Sequence, residues 1–149
     1  MDASVEIWRD VPSFPEIRAS SLGRVQVKPF IGKMPTGGMR RYDSAATYGH
    51  DDTSATCRVG SPKRKIIRVA RLRRTFKVHA LVCEAFHGVK PFPSAIVLHL
   101  DEDPSNNAPT NLRWGTRKEN QNFPQAVAAF KSRTGDKSPW AIHQKRKSA

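Results

Sequence analysis

The pattern of apolar and polar residues in the second half of the chain predicts two short strands and a helix. The apolar run Ile96–Leu98 predicts the first strand, which carries His99 at its end. A polar loop rich in proline and asparagine follows, and Asn111–Trp114 predicts the second strand. Thr116 and Glu119 have the spacing of a capping box, which predicts that a short helix starts there.

Three polar residues mark the corners of this strand–loop–strand–helix unit. Asn111 follows His99 by 12 residues, and Asn120 follows Asn111 by 9 residues. A neutral imidazole takes a proton from water near pH 7, and a carboxamide oxygen suits a hard cation such as Mg²⁺ or Mn²⁺. The unit therefore has the shape of a ββα metal finger, with His99 as the candidate general base.

Helical periodicity follows a basic segment just before this unit. Residues 78–86 place apolar side chains at helical spacing, with His79 near the start and Gly88 as the stop signal. Residues 61–77 combine β-branched residues with many cations and predict a strand or hairpin.

The N-terminal part has short apolar segments separated by turn residues. Ser20–Val25 predicts a turn that leads into a strand, with Gly23 supplying a permissive backbone. Loops and a hairpin around Arg40–Tyr42 are expected next. The fold class is thus α+β, with a small β-rich N-terminal part, a ββα-metal finger core and a basic tail.

Three segments are expected on this basis. Residues 1–60 form a β-rich N-terminal module, residues 61–123 form a domain that contains the finger at 95–123, and residues 124–149 form a basic C-terminal tail.

The charge points to a polyanionic partner. The net charge is +13, and the pI is near 10.5. Residues 61–90 hold nine basic side chains and one acidic one, whereas the finger is slightly acidic. Nucleic acid is the simplest partner, and a basic ribosomal or RNA-binding protein is a weaker alternative. The candidate DNA-binding residues are Lys63, Arg64, Lys65, Arg68, Arg71, Arg73, Arg74, Arg113, Arg117 and Lys118.

The cysteines and the lengths of the apolar runs indicate the cellular compartment. Cys57 and Cys83 lack the spacing of a zinc site, and two cysteines do not make a disulfide framework, so a reducing cytoplasm is the expected location. No apolar run approaches the length of a membrane span, and no signal peptide begins the chain.

The finger resembles the HNH endonucleases, in particular phage homing nucleases with the signature H-x-D…N-N…N-L-x-W-x-T-x-x-x-N. The residues that match are His99, Asp101, Asn106, Asn107, Asn111, Leu112, Trp114, Thr116 and Asn120. The helix around His79 resembles the V-H-x-L-V element that precedes the family's finger. The N-terminal part resembles a module fused to these nucleases, matching at Glu6, Trp8, Ser20, Gly23 and Val25.

The resemblance implies a phage-encoded, homing-type endonuclease that hydrolyses double-stranded DNA with one Mg²⁺ or Mn²⁺ per active site. His99, Asn111 and Asn120 would be the catalytic set, with a backbone carbonyl orienting Nδ1 of His99 and Asn111 tying down the loop. Asn120, Asp101 and His79 are the candidate metal ligands, although His79 also suits a buried structural role. A monomer is favoured.

One departure from the family leaves a second function open. Close homing relatives carry a metal-binding aspartate directly before the histidine, where this chain has Leu98. Leucine cannot bind a cation, which leaves three alternatives. Asp101 or His79 supplies the second ligand, the affinity for the metal is low, or the chain is a catalytically impaired DNA-binding protein that keeps the finger as a scaffold.

Overall fold

An antiparallel sheet forms the N-terminal part of the protein, for which a computed structural model describes residues 5–54 and 63–134. Strands β1 (Trp8–Val11), β2 (Phe14–Ser20) and β3 (Val25–Val27) lie side by side in chain order. Because side chains alternate between the two faces of a strand, the sheet has one apolar face. The fully buried apolar residues of that face are Val11, Ile17, Ala19 and Val25.

A two-stranded ribbon follows this sheet and exposes most of its side chains. Strands β4 (Phe30–Lys33) and β5 (Met39–Tyr42) pair antiparallel, with Phe30 opposite Tyr42. The two rings stack with their centroids 5.0 Å apart. The hairpin predicted for this stretch is confirmed.

The basic segment forms a second hairpin. Strand β7 (Lys65–Val69) pairs with β8 (Arg74–Lys77) on one side and with the short β6 (His50–Asp51) on the other. A 3-10 turn over Ala70–Leu72 joins β7 to β8, and Arg73 completes the turn with φ of 48°. Inward side chains of this hairpin are apolar and its outward ones are largely cationic, which explains the mixed sequence pattern.

Helix α1 (Val78–His87) starts directly after β8 and packs between the N-terminal sheet and the finger. Hydrogen bonds tie it to both sides. The Ser13 amide donates to the Glu84 carboxylate at 2.7 Å, and His87 Nε2 donates to the Pro109 carbonyl at 2.8 Å. The helix predicted from the apolar spacing is confirmed.

The finger consists of β9 (Ile96–His99), β10 (Leu112–Gly115) and α2 (Arg117–Gln121). The strands pair antiparallel, which places His99 opposite Leu112. The sequence predicted a second strand over residues 111–114, but Asn111 ends a 3-10 turn and the strand starts one residue later.

The predicted capping box at the start of α2 is present. The Thr116 hydroxyl accepts from the Glu119 amide at 3.1 Å, and the Glu119 carboxylate accepts from the Thr116 amide at 2.6 Å. A further helix, α3 (Pro124–Thr134), follows and takes up the first part of the predicted basic tail. Residues 135–149 of that tail and Cys57 lie outside the described residues.

A single hydrophobic core joins the N-terminal sheet, the basic hairpin, α1 and the finger. Its buried members are Val11, Ile17, Ala19, Val25, Ile67, Val69, Phe76, Val78, Leu81, Val82, Cys83 and Leu112. Residues from both sides of the predicted boundary at position 60 therefore share one core. The fold is α+β, as expected. No helix within residues 5–54 and 63–134 is long and apolar enough to cross a membrane.

Candidate active site

A cleft of about 720 Å³ lies beside the finger. Three of the predicted site residues line it: His99 at the end of β9, His79 in the first turn of α1 and Asn120 on α2. Asp101 and Asn111 are not among the residues that line it. The fold thus brings together residues that lie 41 positions apart in the sequence.

His99 is partly buried and is oriented by a side chain. The Oδ1 atom of Asn107 lies 3.2 Å from Nε2 of His99. We expected a backbone carbonyl at Nδ1, whereas the structure provides a carboxamide oxygen at the other ring nitrogen. Burial lowers the pKa of His99, and the contact with Asn107 and the nearby Asp101 and Asp103 oppose that shift. The imidazole is therefore neutral near pH 7, as a general base requires.

His79 lies next to this imidazole. Its Nδ1 is buried and has no hydrogen-bond partner among the described residues. Burial is the main cause that lowers the pKa of His79 to about 3, and His99 adds to the shift. His79 is consequently neutral at physiological pH. Its Nδ1 carries an unpaired lone pair in one neutral tautomer and an unpaired N–H in the other.

Asn120 reaches the cleft from the exposed side of α2. Its amide donates to the Thr116 carbonyl at 3.1 Å, which places it in the first turn of the capped helix. Because the capping box fixes this turn, it also fixes the backbone from which the Asn120 side chain extends.

Asp101, Asn106 and Asn111 form a hydrogen-bonded network behind the cleft. Asn111 Nδ2 donates to the Asp101 carboxylate at 2.8 Å, and Asn111 Oδ1 accepts from the Asp101 amide at 3.0 Å. Asn106 Nδ2 donates to the other carboxylate oxygen at 2.7 Å. The backbone amide of Asp103, followed by the side chains of Asn106 and Asn111, lowers the pKa of Asp101 by donating hydrogen bonds to its carboxylate. The network closes the loop between the two finger strands and occupies both oxygens of Asp101.

Leu98 faces the interior of the protein. It is fully buried, and a Cβ added to Gly115 would collide with its side chain. Since side chains alternate along β9, Leu98 points away from His99. The position at which the family resemblance implies a metal-binding aspartate is thus part of the apolar packing in this chain.

Glu102 is a residue that the sequence analysis missed. Among the described residues that line the cleft, it is the one with a carboxylate. Its backbone has φ of 60°, and its carboxylate accepts from the Gln125 amide at 3.0 Å. Nothing in the sequence signals this placement, because it depends on a left-handed residue in the turn after β9.

The donors around the cleft fit a hard divalent cation. The Asn120 carboxamide and the Glu102 carboxylate supply oxygen, the atom that Mg²⁺ and Mn²⁺ prefer, and His79 adds a buried nitrogen without a partner. In the described part of the chain, no three His, Cys, Asp or Glu side chains form a metal-binding group. A bound cation would therefore take most of its ligands from the Asn120 carboxamide, from water and from the phosphate of the substrate.

Cations surround the cleft. Arg64 and Arg117, both predicted to bind DNA, line it together with Lys77 and Lys90, which the sequence analysis had not selected. A cleft lined by four cationic side chains attracts a phosphate backbone.

The other predicted DNA-binding residues lie outside the cleft in different settings. Lys65 pairs with Asp51 at 2.8 Å, and Arg113 pairs with Glu119 at 2.9 Å. Arg71 and Arg74 lie over aromatic rings of Phe30 and of Phe14 and Phe76. The exposed remainder are Lys63, Arg68, Arg73 and Lys118.

The geometry of the finger agrees with a comparison of the sequence with known families. Residues 76–122 match the HNH endonuclease family model. The resemblance drawn from the sequence is confirmed over this HNH segment, which runs from β8 through α2. No curated protein sequence matches the chain significantly.

One solved structure is similar to the chain, that of DNA binding and cleavage by the HNH homing endonuclease I-HmuI. The two sequences are 23% identical, and the match covers 85% of this chain with a TM-score of 0.48. The chain spans 66% of the length of that protein.

Proposed function

We propose that the chain is a metal-dependent endonuclease that hydrolyses phosphodiester bonds in double-stranded DNA. The observation that carries the proposal is the neutral His99 at the edge of a cleft that also holds Asn120 and several cations. The HNH segment supports the same class of reaction.

His99 takes a proton from the attacking water in this mechanism. Its neutral state at pH 7 provides the lone pair, and the contact with Asn107 holds the ring in place. Arg64, Lys77 and Arg117 hold the DNA backbone in the cleft and offset its negative charge. A phosphate held by several groups meets the water at a fixed angle, which lowers the entropic part of the barrier.

A divalent cation held by Asn120, with His79 or Glu102 as further donors, would stabilise the charge on phosphorus and on the leaving oxygen. Asp101, the other candidate ligand from the sequence, does not line the cleft, and its two carboxylate oxygens accept hydrogen bonds within the loop. We therefore place Asp101 with Asn111 in the group that shapes the loop, and Asn120 at the cation.

A second function rests on Leu98. The buried leucine removes the carboxylate that close homing relatives place beside the histidine, which favours a DNA-binding protein with a catalytically impaired finger. Such a protein would hold DNA through the same cations and would not need a cation in the cleft.

The two functions are separated by cleavage and binding assays on the same protein. Supercoiled plasmid is incubated with Mg²⁺, with Mn²⁺ and with EDTA, while a gel-shift assay measures DNA binding in EDTA. The endonuclease predicts nicked or linear DNA with at least one cation and none with EDTA. Tight DNA binding without cleavage under any cation would replace the endonuclease with the second function.

A further inference from the structure

Asn107 is a buried polar residue whose side chain contacts His99, the proposed general base. It is 4% exposed, and its Oδ1 lies 3.2 Å from Nε2 of His99. An amide oxygen only accepts hydrogen bonds, so this contact requires the proton of the neutral ring to be on Nε2. Nδ1 of His99 is then the nitrogen with the free lone pair, and only this tautomer has its base atom available for water.

The backbone of Asn107 rests against the N-terminal module. A Cβ added to Gly23 would lie 2.7 Å from both the carbonyl carbon and the carbonyl oxygen of Asn107, and 3.1 Å from the Ala108 nitrogen. Real Cβ atoms do not come that close to backbone atoms. Only glycine therefore allows this contact between two segments that are 84 positions apart.

The turn that carries Gly23 is itself held firmly. Ser20 is fully buried, and its hydroxyl accepts from the Arg24 amide at 3.0 Å and from the Leu22 amide at 3.3 Å. The Gly23 amide donates to the Ser20 carbonyl at 3.0 Å, and Gly23 has φ of 79°. Ser20 and Gly23, two of the residues that mark the N-terminal module in the sequence, thus shape one rigid turn.

We propose that this turn, Ser20–Arg24, is a positioning element of the active site. It supports the backbone of Asn107, and Asn107 in turn sets the tautomer and orientation of His99. The N-terminal module then has a role at the reacting centre besides any contact with DNA. The inference rests on the proposed function, because it takes His99 as the general base of that reaction.

The shared hydrophobic core holds the Ser20–Arg24 turn in a fixed position relative to the finger. Ala19 and Val25, which flank the turn, are fully buried in the same cluster as Leu112, the residue opposite His99. The turn and His99 are therefore attached to the same packed core. Because such a core is close-packed, a small displacement of Gly23 also displaces the loop that contains Asn107.

The first test reads the tautomer of His99 directly. Nitrogen-15 NMR of the imidazole distinguishes a protonated Nε2 from a protonated Nδ1 in the full chain without metal or DNA. The proposal expects the wild-type ring to carry its proton on Nε2 and Asn107→Ala to lose this preference. A proton on Nδ1 in the wild type would overturn the proposal.

The second test uses two glycines with matched backbones. Gly23→Ala introduces both a strained φ and a collision with Asn107, whereas Gly37→Ala introduces the same strain, with φ of 87°, and its Cβ meets nothing within 4 Å. We expect Gly23→Ala to shift the His99 tautomer and to lower kcat by roughly tenfold or more, with DNA affinity unchanged. Gly37→Ala is expected to change neither.

Equal effects of the two glycine variants on tautomer and kcat would contradict the proposal, since only strain would then matter. If Gly23→Ala fails to fold, Ser20→Ala replaces it and is expected to disturb the tautomer in the same direction, while an unperturbed ring would contradict the proposal. A wild type with the expected tautomer that cuts no DNA would refute the proposed function and leave the positioning contact standing.

Discussion

The imidazole rings of His79 and His99 meet edge to face, with centroids 5.3 Å apart and planes at 85°. Burial lowers the pKa of both rings, and a charge on one ring disfavours a charge on the other. Both imidazole rings are therefore neutral at physiological pH. One ring is the proposed base, and the other is its packing partner and a potential donor to the cation.

The low pKa of His79 makes the fold sensitive to acid. The pKa is about 3 in the folded protein and 6.5 in the unfolded chain, so the unfolded chain binds more protons between these values. Stability is thus complete above about pH 6.5 and falls as the pH is lowered toward 3, by up to about 1.4 kcal/mol per pH unit. Urea unfolding at pH 7.5 and pH 5 is expected to show a smaller loss for His79→Leu than for wild type.

The matched control is His50→Ala, because His50 is exposed on β6 and away from the cleft. This variant is expected to keep the acid sensitivity of the wild type. Identical pH dependence in wild type and His79→Leu would show that the burial of this ring does not control acid stability.

Leu98→Asp tests whether the aspartate of the homing relatives fits this chain. The carboxylate would enter an apolar core next to Gly115, where an unpaired charge costs several kcal/mol. We expect a clear fall in melting temperature and no gain in Mn²⁺ affinity by calorimetry. Leu100→Asp is the control, since Leu100 is 48% exposed and lies two residues away. Tighter Mn²⁺ binding with unchanged melting would mean that position 98 reaches the cation.

Asn120 is expected to control the cation requirement. Asn120→Ala removes the carboxamide oxygen from the cleft, so cleavage should need a higher Mn²⁺ concentration while DNA binding in EDTA stays nearly unchanged. Asn120→Asp retains an oxygen donor and should keep part of the activity. Asn122→Ala, at the C-cap of α2 and outside the cleft lining, serves as the control. An unchanged Mn²⁺ titration for Asn120→Ala would remove this residue from the cation site.

The cleft cations should determine how strongly DNA binding depends on salt. Arg64→Ala and Arg117→Ala each remove one phosphate contact, so the slope of log affinity against log salt should shrink by about one for each. Arg41→Ala is the control because Arg41 is paired with Asp43 at 3.2 Å. Fluorescence anisotropy over a salt series measures the slopes. Equal slopes for all variants would place the DNA elsewhere.

The sequence predicted the parts of the fold that depend on local patterns. Apolar spacing gave the helix at 78–87, and the Thr116–Glu119 pair gave the start of α2, because caps and periodicity act within a few residues. The roles of His99, Asn111 and Asn120 came from the resemblance, and the structure brings only His99 and Asn120 to the cleft.

The missed features depend on contacts that no local pattern records. The contact of Gly23 with Asn107 joins residues 84 positions apart, and Glu102 enters the cleft through an unusual left-handed backbone. Asn107 entered the sequence analysis only as part of the family signature. Its side chain turns inward, because the loop closed by Asn111 brings it to His99.

The most direct test of the central claim is the single-turnover cleavage rate of His99→Ala with plasmid DNA and saturating Mn²⁺, compared with His50→Ala. Loss of a general base typically lowers the rate by roughly 10²–10⁴-fold. The endonuclease mechanism predicts such a loss for His99→Ala, with DNA affinity nearly intact, and a wild-type rate for His50→Ala. A His99→Ala protein that folds and retains more than about a tenth of the wild-type rate would contradict the role of His99 as the base.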